Sequence, residues 1–418
     1  MTMSAKSLPL LILLLIALPA TGLEEKSPAP IRVVSNDVFI KKGTRPVCTG
    51  FITYIHKTRP ILMHCYGFQD YSDGYDDYGY QVSRDNGKTW SARVIRWKSE
   101  LVPEGRVRYG EHAAFFDCDL NRLIVLTNKT LYPKDQFDNK QVTEVVIDTY
   151  DRTSDRWSER RPLNLSPGRS IAVSFSFPLK LAGGRLLFPA MRPTIDANNR
   201  NVYYPGCWAP LDEALQIIGD FRTDGSISWQ LGEPIRISSE TSSRGLDENA
   251  IAELRDGRVA AVCRGDNSMF PEKPGYKWLS YSADKGKTWT APVPFPCTEG
   301  PPIESGANGS AFFRSIKNGR LYWVGNLCVR GRRPKGNFPR TPLVVARIQE
   351  EPFGIIRDSI TVVDEQGPGE PDNVQMSNFR FYQDRETGDL VLFYTRYSER
   401  SAKDWMDADY HRLRVRLD

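Results

Sequence analysis

The chain has 418 residues, a formal net charge of +5, 11% aromatic residues, 32 Gly and 29 Pro. That length is too great for most small single domains but suits a large all-β one, and the aromatic, Gly and Pro content suits many strands and turns. The charge is mild for the length and mixed in sign along the chain, which argues against nucleic-acid binding.

In chain order, Lys6 precedes an apolar run over 8–18, and Ala20-Thr21-Gly22 offers small residues for cleavage. This is the pattern of a secretory signal peptide over 1–22, cut after Gly22 or after Ala20, and too short for a membrane span. No later segment has eighteen consecutive apolar residues, so the expected mature protein is exported, secreted or periplasmic, without a membrane span. Residues 23–30 read as a linker and 31–418 as one domain. Seven cysteines (48, 65, 118, 207, 263, 297 and 328) show no CxxC spacing, and their odd number within apolar runs predicts buried free thiols rather than a disulfide framework. The four histidines have no ligand spacing, so neither metal nor cofactor is expected.

From Ile31 onward one unit recurs: an apolar strand, a turn with Gly or a basic residue, and a second apolar strand. The turns fall over 55–61, 116–123, 181–186, 254–259, 316–321 and 382–390. Arg59, Arg122, Arg185, Arg258 and Arg320 mark five of them and Asp389 the sixth, with separations of 63, 63, 73, 62 and 69 residues. Only 211–218 has a helical pattern. Six all-β units of this length predict a six-bladed β-propeller of four-stranded antiparallel blades, the alternative being two β-sandwiches.

Within the fourth unit, Asp256-Gly257 separates two apolar runs and predicts a hairpin with a type I′ turn. Such a hairpin carries Glu248 and Arg264 side by side at its open end. Their alternative is a plain surface ion pair.

Ser83-x-Asp85-x-Gly87-x-Thr89-Trp90 and Ser282-x-Asp284-x-Gly286-x-Thr288-Trp289 share a pattern with a mechanical reading. The Asp bonds amides in its own turn, Gly supplies positive φ, and Trp packs beneath. Weaker relatives end on Trp157 and Trp229. The motif resembles the Asp-box of the sialidase-like (BNR-repeat) propellers, and the resemblance spans all six units. It implies structural roles for Asp85, Trp90, Asp284 and Trp289, with these turns on the rim away from the ligand face.

The resemblance also implies chemistry. Sialidases hold a substrate carboxylate with three arginines, whose planar forks match it bidentately. A tyrosine activated by a glutamate attacks the anomeric carbon, and an aspartate serves as acid/base. Here Glu248 looks like the activating glutamate and Arg264 like the second arginine. Arg340 resembles the third, with Arg330, Arg332 and Arg333 as competitors, and Arg45 is a candidate for the first. Asp73 fits the offset of the acid/base, with Asp70, Asp76 and Asp77 as alternatives. At the tyrosine position stands Met376, with Ser377 beside it, and the nearest tyrosine, Tyr382, lies further along the strand. Activity on a standard sialoside is therefore expected to be very low or absent.

Strand starts are expected to bring Glu111, His112, Arg169, Ser170, Glu304, Asn308, Asn373, Gln375 and Asn378 toward the channel, with Glu111 and His112 a candidate acid–base pair. Three functions fit: an exported exo-glycosidase acting on a terminal acidic sugar, a propeller lyase or other glycosidase using His112 or a tyrosine as base, and a non-catalytic binder of acidic glycans. An acidic glycan or oligosaccharide is the expected partner in all three.

Overall fold

The computed structural model describes residues 31–137, 141–175 and 177–417. The leader and linker expected over 1–30 lie outside the described residues.

Six antiparallel sheets make the six blades of a propeller, and the only helix among the described residues is one 3₁₀ turn, Arg357–Ser359. Blade 1 runs Val47–Tyr54, Leu62–Tyr71, Gly74–Ser83 and Val94–Trp97. Blade 2 is built on Gly105–Asp117, Arg122–Pro133 and Thr143–Asp151, with short edge strands, and blade 3 on Leu186–Pro193 and Asp212–Phe221. Blade 4 runs Asp247–Glu253, Val259–Arg264, Lys277–Ser282 and Val293–Pro294. Blade 5 contains Ala311–Arg314, Leu321–Asn326 and Leu343–Glu350. First strands of neighbouring blades touch around the axis, Val47–Tyr54 against both Gly105–Asp117 and Arg380–Gln383. The apolar alternation of each strand fills six core clusters, most of them spanning two adjacent blades.

The sixth blade closes the ring. Arg380–Gln383, Leu390–Thr395 and Tyr410–Arg416 take Arg32–Ile40 as their outer strand, with Arg32 opposite Arg416. Residues 32–40 thus belong to the last blade rather than to the first repeat, because pairing with the chain's other end removes an exposed edge.

Two local expectations change. Residues 211–218 are not helical. They fall largely in the strand Asp212–Phe221, paired on both sides, where sheet pairing overrides a weak local pattern. The blade 4 hairpin is not type I′. Only Gly257 has positive φ, at 85°, and its N–H donates to the Leu254 carbonyl at 3.0 Å. Leu254 N–H returns to the Arg258 carbonyl at 2.8 Å, giving a longer loop with Gly at the left-handed position.

All seven cysteines are unpaired. Cys48, Cys65 and Cys263 are buried, Cys118 is exposed, and the others lie between.

The two Asp-box turns share one geometry. Thr89 N–H and hydroxyl bond Asp85 at 2.8 and 2.6 Å, and Thr288 bonds Asp284 at 2.9 and 2.7 Å. Gly87 and Gly286, at φ 83° and 86°, donate to Ser83 and Ser282. Trp90 and Trp289 pack against the cores of their blades. In blade 1 this turn and the Ser72–Asp73 turn lie at opposite ends of the strand Gly74–Ser83, about 30 Å apart at ~3.3 Å per residue.

Candidate functional site

At the end of the channel opposite the Asp-boxes lies a cavity of about 550 Å³. Asp73, Glu111, Glu248, Arg264, Arg340 and Tyr397 all line it, contributed by blades 1, 2, 4, 5 and 6.

Two carboxylates reach it through irregular backbone. In blade 2, Gly110 faces Asn128 and His112 faces Thr127, so Glu111 is an extra residue with φ 48°. In blade 4, Asp247 faces Arg264 and Ala250 faces Val262, which leaves one extra residue at Glu248–Asn249. A bulge of this kind re-aims a side chain that strict alternation would send elsewhere.

Glu248 and Arg264 meet as the hairpin requires. Arg264 Nη1 donates to Glu248 Oε2 at 2.8 Å, and its Nε stands 3.4 Å from Asp247 Oδ1. Both side chains of the shorter pair are about nine-tenths buried. Burial raises the Glu248 carboxyl, but Arg264 outweighs it and holds the group below its ordinary range. Asp247 is pushed up to about 6, by burial first and then by Glu248, against the pull of Arg264. Asp212, which also lines the cavity, rises to about 7 through burial and the Asp247 charge.

Arg340 is differently placed. Its hydrogen bonds go to Asn337 O, Gln375 Oε1, Ser377 Oγ and Ala307 O, at 3.3, 3.3, 3.4 and 3.3 Å, and none of these acceptors is charged. Burial, then the neighbouring Arg264, lower it to about 10. A third guanidinium, Arg244, bonds Asn337 Oδ1 at 3.4 Å and lies 5.0 Å over the ring of Trp208. Gly245, at φ 68°, lets this segment cross Asp212 closely, since a Cβ there would stand 2.0 Å from the Asp212 carbonyl oxygen.

Glu111 accepts from Asn128 Nδ2 at 3.2 Å, and its Oε1 lies 3.3 Å from Ser174 Oγ. The same Ser174 hydroxyl is 3.5 Å from Glu248 Oε1. Burial, Glu248 and Asp73 push Glu111 up to about 8.

Several expected residues are elsewhere. Arg45 is held by Asp70 and Asp77 at 2.8 Å each and does not line the cavity, because those carboxylates satisfy its fork first. Of the four candidate aspartates only Asp73 lines it; Asp76 is buried on Ser99. His112 is not a partner of Glu111. It sits among Phe51, Tyr78 and Trp97 with both ring nitrogens unbonded, since the bulge sends the two side chains different ways. Asn308 lies outside the cavity, where its carbonyl and side-chain oxygens receive Lys277 Nζ at 2.5 and 3.2 Å. Burial lowers that lysine to about 7. Asn378, Asn373, Gln375 and Ser170 line the cavity, whereas Arg169 and Glu304 do not. Arg330 pairs with Glu365, Arg332 bonds Gln366, and Arg333 pairs with Glu304, all three outside the cavity.

Met376 is fully buried, and Tyr382 lies far down its strand beside Tyr54. Among the described residues no tyrosine hydroxyl bonds Glu248. Sequence reasoning missed Tyr397, which enters from the loop after Leu390–Thr395, accepts Gln375 N–H at its carbonyl, and donates its hydroxyl to Gln69 Oε1 at 2.5 Å. Burial raises its phenol well above the usual range. Arg244, Ser174 and Asp212 were equally invisible, being defined by contacts between blades. Arg244, three residues before Asp247, carried the one usable signal.

Solved structures share the fold. The chain adopts a sialidase-like propeller fold. The Trypanosoma rangeli sialidase matches with TM-score 0.60 and 13% identity, over 91% of this chain and 59% of that one. The Hadza microbial sialidase Hz136 matches with TM-score 0.58 and 14% identity, over 89% and 66%. The Ruminococcus gnavus intramolecular trans-sialidase, solved with oseltamivir carboxylate, matches with TM-score 0.58 and 12% identity, over 91% and 97%. The chain thus spans less than two thirds of the length of the first two. Identities this low establish the fold and leave activity and substrate to the site. No family model matches the chain, and no curated protein does.

Proposed function

We propose that this chain is an exported sialidase-like glycoside hydrolase acting on a terminal acidic sugar of a glycan, with the sugar carboxylate held by Arg264 and Arg340. The observation that carries the reading is Arg340: a largely buried guanidinium on the cavity wall whose acceptors are all neutral and more than 3.2 Å away. Such a cation gains most from an incoming carboxylate, which can replace weak neutral contacts with charge-assisted ones. Arg264 spends part of its charge on Glu248 and Asp247, so Arg340 is the stronger anion anchor of the two.

Asp73 and Glu248 are the proposed catalytic carboxylates. Among the described residues no tyrosine hydroxyl bonds Glu248, so turnover of standard sialosides through a tyrosyl intermediate is expected to be very low. The lyase reading that uses His112 loses support, because a buried imidazole among aromatics has no path to a substrate proton. Residues 1–22 as an export leader and 31–418 as one domain belong to the same proposal.

Titration calorimetry with N-acetylneuraminic and glucuronic acids tests it. Arg340→Ala is expected to weaken binding of the preferred acid about 100-fold, from roughly 3 kcal/mol of lost charge-assisted bonding, while leaving the melting temperature nearly unchanged. Equal affinity in wild type and variant would sink the proposal.

A further inference from the structure

Glu111, Ser174 and Glu248 come from blades 2, 3 and 4 and meet at the floor of the cavity, where each residue's placement is independently constrained. Asn128 donates through Nδ2 to Glu111 Oε2, and its own orientation is set by the backbone of Val173: Nδ2 reaches Val173 O at 3.0 Å and Oδ1 receives Val173 N–H at 2.8 Å. Flipping that amide would oppose two oxygens. Glu111 Oε1 therefore faces Ser174 alone, and the Ser174 hydroxyl also faces Glu248 Oε1.

One hydroxyl has one proton, and it cannot donate to two carboxylates at once. The chain of contacts closes when Glu248, held by Arg264, accepts from Ser174, and Ser174 accepts from a protonated Glu111. Among the described residues no arginine or lysine bonds Glu111. The groups around it are Glu248, Asp73, Arg380 and the rings of Tyr75 and Tyr78. Arg380 gives its bonds to Gly50 O and Phe379 O and lies against Phe175 and Phe177, so its charge acts on Glu111 without a hydrogen bond. The two carboxyl groups thus occupy unlike environments, one ion-paired and one bonded only to neutral donors, an arrangement that separates acid from base.

We propose that Glu111, rather than the exposed Asp73 on its turn, is the proton donor of this site, passing its carboxyl proton to the glycosidic oxygen as the bond to the acidic sugar breaks. The C–O electron pair goes to that oxygen and the aglycone leaves as an alcohol. Water then adds at the anomeric carbon and returns a proton to Glu111, so that one glycoside and one water yield a free acidic sugar and an alcohol. The step rests on the hydrolase reading and takes nothing else from solution. The position of the group agrees with its titration, since burial and the Glu248 charge raise it to about 8 and keep it protonated at neutral pH.

The test compares wild type and Glu111→Gln on methyl and 4-nitrophenyl glycosides of N-acetylneuraminic and glucuronic acids. Gln is isosteric with a protonated Glu, so the contacts with Asn128 and Ser174 persist, and equal melting curves check the fold. A methyl glycoside needs its leaving oxygen protonated, whereas 4-nitrophenolate leaves without help. Glu111→Gln should lower kcat on the methyl glycoside about 100-fold, change the aryl glycoside less than about threefold, and abolish the loss of methyl-glycoside activity above pH 8. Equal losses on both substrates would mark Glu111 as structural and overturn the proposal, as would no loss on either. Infrared difference spectra of the two proteins at pH 6.5 add a readout without substrate: wild type minus variant should show the carbonyl stretch of one protonated carboxyl, over the bands that Asp212 and Asp247 contribute to both, and a difference spectrum without it overturns the proposal. Failure of the hydrolase reading looks different, because wild type then turns over none of the four glycosides, and the donor role falls with it.

Discussion

The two ends of blade 4 carry charged side chains under opposite rules. At the Asp-box end Asp284 finds its partners within four residues on either side, Ser282 and Thr288, and against the penalty of burial they hold its carboxyl down to about 2. At the cavity end Glu248, Asp247 and Arg264 draw on Ser174 from blade 3 and Asn337 from blade 5, and burial pushes both carboxyls up while Arg264 pulls both down, leaving Asp247 above and Glu248 below its ordinary range. A turn closed on itself yields a stable structural element that reads the same in any blade. Charges gathered from several blades and withdrawn from water yield a site whose behaviour depends on what enters it.

The sharpest break of that contrast is Arg264→Ala. It leaves Glu248 and Asp247 buried without their nearest cation, which should cost about 3–5 kcal/mol of stability by denaturant titration at pH 7 and recover in part at pH 5, where protonation relieves the charge. A variant as stable as wild type would show that water already screens this end.

The pH dependence of stability comes next. Glu111 binds its proton more tightly when folded, at about 8 against an ordinary 4.5, so the stability it contributes is complete below pH 4.5 and lost as pH rises through 8. Glu111→Gln removes that loss. Its stability relative to wild type should therefore rise between pH 5 and pH 9, by about 2 kcal/mol once solvent in the open cavity is allowed for. A difference that stays flat with pH contradicts the assigned environment.

At the other end, Asp284→Ala should cost about 1–2 kcal/mol through loss of the turn's hydrogen bonds, with affinity for an acidic sugar unchanged. Altered binding would mean that the two ends are coupled through the blade. The smallest effect is expected from Arg45→Ala. Its ion pairs with Asp70 and Asp77 are partly exposed, so stability should change by under about 1 kcal/mol and acidic-sugar binding by less than about twofold. A large loss of binding would restore Arg45 to the carboxylate clamp.

The residues that were legible in advance share one property. Glu248 and Arg264 flank a short hairpin, and pairing across a turn follows from sequence distance alone; Asp85 and Asp284 act within their own turns. Arg45 looked equally suitable, yet Asp70 and Asp77, 25 and 32 residues away, capture it. His112 was misplaced beside Glu111 because a bulge adds one residue and cancels strict alternation. Tyr397 escaped notice because proximity to the cavity comes from a loop bonded to Gln375, not from a position near Met376.

The sequence by itself determined the six repeated strand–turn–strand units, and with them the propeller, because period-two alternation and turn chemistry are local properties that recur in each unit. It determined the Asp-box turns and the Glu248–Arg264 pair for the same reason. The tertiary structure decided that residues 32–40 close the last blade, and which cations reach the cavity. It also decided that Arg340 meets only neutral acceptors while Glu111 and Glu248 share one serine hydroxyl. Those outcomes depend on burial and on the relative placement of five blades, and neither is encoded in the spacing of any single motif.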